Sequence, residues 1–262
     1  MKKLFVCEDT LNAMYSAIYD AWRDSRTAGD NGIRLEGRYD TELFCEYVPV
    51  EVRVKKREAV EKMIWRNLGE EVVGELYLTL LSEADDKADV VLGTLQTARY
   101  LKEPGRILEY LSNDRVARVF ELSRRVGNEA HMFIEVVRFR ELKQGILFSE
   151  IHPENRILSC LGEHFSDRFP QENWMIRDKT HDSFLIHEKG KRWILAEQPE
   201  IREELLKETT EGEMFYAELY RRFCQTIAIR ERTNLRCQQN HLPLRYRKDM
   251  VEFAEETRRN CL

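Results

Sequence analysis

"NWMIRDKTHDSFLIHEKGKRWILAEQ", residues 173–198, contains three short extended runs, NWMIRD, SFLIHEKG and KRWILAEQ. The last two are joined at KGKR, and the polar stretch DKTHD lies between the first two. Short apolar runs closed by turn residues predict antiparallel pairing. The helical patterns on either side then make the fold α+β, with helical elements packed against an antiparallel β-sheet.

Working back from this stretch, residues 131–153 read HMFIEVVRFRELKQGILFSEIHP. Met132, Ile134, Val136 and Arg138 alternate with Phe133, Glu135, Val137 and Phe139, so both faces of the expected strand are largely apolar and at least one is covered. KQG turns the chain and ILFSEI returns, which predicts a hairpin. PENRILSCLGEHFSDRFP follows as a helix, with Pro153 at an early helical position and Ile157, Leu158, Leu161 and Phe165 on one face.

From about residue 55 to 127 apolar residues recur at helical spacing, and EPGR interrupts the run. KLFVC at the start reads as a buried strand, and Leu11, Met14, Tyr15, Ile18 and Trp22 as the inner face of a helix. RTAGDNGIRLEG reads as a loop. FCEYVPVEV reads as extended, with Pro49 marking an edge or a strand end. After Pro199 a helix from about residue 210 carries the stripe Met214, Phe215, Leu219, Phe223 and Ile227, RTNLRCQQNHLPL is irregular, and a last helix begins near Arg245. The organisation is a strand–helix segment (1–54), a helical region (55–130) and an α+β core (131–262), read as one continuous globular unit.

A chain of 262 residues with 42% apolar residues is long enough for one large or two small cores. MKKLFVCEDT has four apolar residues before the first acids, short of the roughly 7–15 of an export signal. The expected location is cytoplasmic, without a membrane partner. No two of the six cysteines are spaced C-x-x-C, and Cys237 with His241 is the closest metal-like pair. No metal site and no cofactor are expected.

Charge is unevenly spread. Residues 221–248 carry eight arginines and lysines and one acid, Glu231, a local +7 in a chain of net −5, which leaves −12 for the remainder. The block suits phosphate contact by Arg230, Arg232, Arg236 and Arg245, with Asn234, Gln238 and Tyr246 as neutral donors or stacking groups. The opposing reading pairs these arginines with the acidic remainder. Arg138, on an apolar strand face, needs an acceptor such as Glu150 or Asp178, or else presents a guanidinium to an anion. His164 and Arg168 lie four apart on one helix face and could hold a phosphate, or His164 packs beside Phe165. Asp178 with His164, His181 or His187 could supply a general acid and base, although no nucleophile accompanies them. The RDKTHD turn reads as an exposed, tolerant hairpin tip.

Three blocks of residues 131–253 resemble the DUF4130 family. HMFIEVVRFREL resembles its H-x-F…R-F segment, with Arg138 and Phe139 at the signature pair. Ile151, Pro153, His164, Phe165, Arg168, Pro170, Trp174 and Asp178 match a second run. Ile229, Arg232, Asn234, Gln238, Pro243, Arg245 and Tyr246 match a closing I-x-x-R-x-N…Q…P-x-R-Y block. The sequence departs from the pattern at DKTHDS, where an arginine often follows the aspartate. Members are described as DNA metabolism proteins, and stand-alone ones accompany a radical SAM protein assigned to DNA modification or repair. The resemblance implies a DNA-metabolism accessory protein that binds nucleic acid, DNA first, or a radical SAM partner. Two other readings stay open: a hydrolase or glycosylase-like enzyme acting on nucleotides or damaged DNA, and a protein–protein interaction module.

Overall fold

The computed structural model describes residues 1–24, 31–197, 199, 201–227 and 234–253. They form an α+β fold divided into two compact units, Met1–Asn128 and Glu129–Leu262. The division falls inside one long helix.

In the first unit β1 (Lys2–Cys7) leads into α1 (Leu11–Asp24), which returns the chain to β2 (Gly32–Leu35). β3 (Cys45–Pro49) pairs on the other side of β1, and both pairings are parallel: Leu4 lies opposite Gly32 and Tyr47. Parallel neighbours need a crossover rather than a tight turn, and α1 is one. Residues 32–35 are therefore a strand where a loop is expected from sequence. Ile33 and Leu35 are buried at 1% exposure, and their alternation with Arg34 is the signal that the surrounding glycines obscure. Pro49 sits on an edge strand, as expected. The helices α2 (Val54–Leu68), α3 (Glu70–Leu81) and α4 (Lys87–Ala98) complete the core with α1. A 3₁₀ segment, Pro104–Glu109, stands where EPGR breaks the helical run.

α5 (Asp114–Val136) starts in the first unit and ends in the second. Its last turns correct the strand expected over residues 131–139. Leu122, Val126, Ala130, Phe133 and Val137 are all buried, at spacings of three and four. That period belongs to a helix, and a short window of β-branched residues hides it.

The second unit holds a five-stranded sheet in the order β4 (Arg140–Glu141), β5 (Leu147–Ile151), β6 (Trp174–Asp178), β7 (Ser183–His187), β8 (Ile194–Glu197). The three extended runs of residues 173–198 are β6, β7 and β8, paired antiparallel as expected. β5 and β6 are parallel, however, with Ile151 opposite Asp178, so the sheet is mixed. The connection between them contains α6 (Leu158–Arg168), a crossover. Pro153 lies outside this helix, because Glu129 of α5 holds the preceding loop: its carboxylate accepts from Glu154 N and Asn155 N at 2.9 Å each and from Asn155 Nδ2 at 2.6 Å.

One sheet face buries Phe148, Met175 and Phe184 against Leu206 of α7 (Glu203–Lys207). On the other, Trp174 stacks on His187 and meets Phe165 of α6 edge-on. α8 (Glu211–Ile227), α9 (Leu235–His241) and α10 (Leu244–Arg247) follow. α9 occupies part of the stretch expected to be irregular. Asn234 caps it, its side-chain oxygen accepting from Cys237 N at 3.0 Å. The α8 stripe is not core: Phe215, Leu219 and Phe223 are 66%, 51% and 55% exposed. No described helix is long and apolar enough to cross a membrane.

Candidate functional site

A cleft of about 820 Å³ opens in the second unit between the end of α5, the end of α6 and one face of α8. α5 stops at Val136, and the extended chain beyond it delivers Arg138 and Phe139 to the cleft wall. α6 contributes His164, Phe165, Arg168 and Phe169 from its last turn and C-cap. Leu158, Leu161 and Phe165 fix this helix on the sheet, so the four-residue spacing of His164 and Arg168 turns both toward the opening. α8 contributes Glu213, Tyr216 and Tyr220.

Phe139 organises the floor. Its ring meets Phe165, Phe169 and Trp174 edge-on at 5.3, 5.5 and 6.3 Å. Such edge-to-face contacts hold ring planes as well as bury area. Arg138 is held from three sides. Nη1 donates to the carbonyls of Glu135 at 2.8 Å and Val137 at 3.3 Å, and Nη2 pairs with Glu252 at 3.1 Å. Glu252 thus takes the acceptor role expected of Glu150 or Asp178, while Glu150 pairs with Arg140 at 2.8 Å. Arg168 is exposed and makes no ion pair among the described residues; its guanidinium rests 5.6 Å from the Phe169 ring centre. His164 packs its ring edge-on to Phe165. Glu213 is engaged elsewhere, accepting from Glu141 N at 3.0 Å, which ties α8 to β4. Burial and the Glu252 carboxylate push the Tyr220 phenol up, so it stays protonated as a donor.

The other candidates lie apart from these. Asp178 is buried at the end of β6, where Oδ1 accepts from Thr180 N and His181 N and Oδ2 lies 2.6 Å from His181 Nδ1. His187 is buried against Trp174 and approaches the Glu172 carbonyl at 3.0 Å. The basic block is dispersed. Arg230 and Arg232 lie outside the described residues, as does Ile229. Arg236 and Gln238 are exposed on α9, and Asn234 is used as its cap. Arg245 pairs with Glu154 at 2.5 Å and donates to the Tyr246 hydroxyl at 2.8 Å. Tyr246 itself is 5% exposed, edge-on to Phe133. Arg221 and Arg222 both pair with Glu218. Among the described residues no group of three or more His, Cys, Asp or Glu is placed to hold a metal ion.

Three side chains escaped the sequence reading: Tyr216, Tyr220 and Glu252. The tyrosines repeat at i, i+4 beside the α8 stripe, a signal visible in the sequence but absorbed into an expected core face. Glu252 had none, since it meets Arg138 across 114 positions.

Comparison with known families returns a match over residues 85–252 to DUF4130, a domain of unknown function. The match begins well before residue 131, so it takes in α4 and all of α5 as well as the second unit as far as residue 252. No curated protein matches the chain.

Proposed function

The chain belongs to the DUF4130 family, and from that premise we propose that it is a nucleic-acid-binding accessory protein of DNA metabolism, serving DNA repair or modification in the cytoplasm. One observation carries the reading. Arg138 with Phe139, and His164 with Phe165 and Arg168, come from two separate stretches of sequence and share one cleft. Arg168, without an ion pair among the described residues, and an imidazole beside an aromatic floor suit an anionic, partly aromatic ligand. The family resemblance adds a radical SAM protein as the partner that performs the chemistry. The Asp178–His181 pair favours a structural role over an acid–base one, since both side chains are buried and the second carboxylate oxygen is taken by two backbone N–H groups.

The test is fluorescence anisotropy of labelled DNA with the wild type and Arg168→Ala. Arg168 is the informative choice because its removal breaks no ion pair among the described residues. The expected result is binding at low salt that Arg168→Ala weakens for all sequences alike, with a shallower dependence of affinity on salt. No binding of DNA or RNA at low salt, or an unchanged affinity and slope in the variant, would refute the reading. Co-purification with the radical SAM protein checks the partner separately.

A further inference from the structure

We propose that the cleft seats an unpaired nucleotide of a single-stranded nucleic acid, its base stacked on the tyrosines of α8 and its phosphate held by Arg168; this rests on the nucleic-acid reading above. Tyr216 and Tyr220 lie one turn apart on one helix face, and both line the cleft. They are 66% and 40% exposed. A tyrosine ordinarily buries its ring and leaves the hydroxyl in water, so two accessible rings on a cleft wall offer a stacking surface. Phe169, with Arg168 lying over its ring, supplies aromatic surface on the α6 side.

Geometry selects the single strand. Stacking on a side chain needs a free base face, and in a duplex those faces are taken by neighbouring base pairs. A duplex shows a protein base edges and phosphates, read by an element that projects into a groove. Here the aromatic groups are set in a concavity of about 820 Å³, within the size range of small-ligand sites, about 300–1,000 Å³.

Charge points the same way. The cleft offers Arg168 as a cation without an ion pair among the described residues, while Arg138 is already paired with Glu252, and Glu135 and Glu213 stand on the walls. That is too little positive charge to track a duplex backbone, and enough for about one phosphate. Counterion release from a single strand contributes a slope of about −0.7 per phosphate, so log K should fall with log salt at about −0.7.

The experiment measures binding of an oligothymidylate, the same sequence annealed to its complement, and thymidine monophosphate. Wild type, Tyr216→Ala and Tyr216→Phe are compared. The single strand is expected to bind at least about tenfold tighter than the duplex, and tighter than the monophosphate. Tyr216→Ala should weaken it by about fivefold to 150-fold, the range of one base–aromatic stack, while Tyr216→Phe retains it. Equal melting temperatures in the three proteins establish that a loss is not one of folding. Duplex binding as tight as single-strand binding, or Tyr216→Ala within about twofold of wild type, overturns this proposal and leaves the nucleic-acid reading standing. Tighter capture of the monophosphate overturns it in favour of a mononucleotide site. No binding of any of the three overturns both.

Discussion

His181 Nδ1 lies 2.6 Å from Oδ2 of Asp178, and the two side chains are 6% and 1% exposed. The remaining carboxylate oxygen accepts from the backbone of Thr180 and His181. The turn between β6 and β7 is therefore closed from inside. Lys179, Thr180 and Asp182 face solvent, but the Asp178 and His181 side chains do not, which corrects the expectation of an exposed, tolerant tip.

His181→Ala should destabilise the protein by about 1–3 kcal/mol, because a buried carboxylate loses a partner it cannot replace with water. Asp178→Ala should cost more, since three donors lose their acceptor at once. Urea unfolding measures both. A change of a few tenths of a kcal/mol in either would mean that the pair contributes nothing to the fold.

Glu129→Ala should release the loop over residues 152–157. The carboxylate accepts three N–H groups from Glu154 and Asn155, and Asn155 is 1% exposed. Hydrogen exchange at the amides of residues 154 and 155 should accelerate selectively, because those two donors lose their acceptor. Unchanged protection there would show that other contacts hold the loop.

What sequence reveals here follows the range of each interaction. β6, β7 and β8 are legible because hairpins are local and their alternation is complete within a few residues. The parallel β5–β6 pairing is not, since nothing in FSEI or NWMIRD states direction; only the intervening helix implies it. The end of α5 misleads because Phe133, Val136 and Val137 fit both periods until Val126 and Ala130 are counted with them. In the site, Arg138, His164 and Arg168 are legible as residue types and motif positions, but their meeting is tertiary. Tyr246 shows the converse: a motif residue that suits base stacking packs its ring in the core against Phe133.

Gly162→Ala should disturb Trp193 before anything else. A Cβ at position 162 would stand 2.4 Å from Trp193 Cε2 and 2.7 Å from Nε1. The indole must move, breaking its donation to Glu163 at 3.1 Å. The expected outcome is a red-shifted Trp193 emission, read in a variant retaining only that tryptophan, together with a lower melting temperature. An unaltered spectrum would mean that the ring does not pack on α6.

Glu42 gives the first unit a specific acid sensitivity. Lys2 at 2.8 Å and Arg34 hold its carboxyl down from 4.5 to about 2. A depressed folded-state pKa contributes stability that is complete above the unfolded value and is lost as pH falls through the folded one. Stability should therefore decline as pH falls from about 4.5 to about 2, and Glu42→Gln should flatten that part of the profile. Parallel profiles for the two proteins would show that the pairing is screened away.

The ion pair that fixes Arg138 has its acid at Glu252, and two further pairs, His152–Asp249 and Arg245–Glu154, also join distant parts of the second unit. During synthesis, residues 138 to 168 leave the ribosome long before residue 252 exists. At about 5–20 residues per second that interval is several seconds or more. Through it Arg138 is made without its acid and Phe133 without Tyr246. The second unit therefore completes these long-range contacts only once its last described residues have been made.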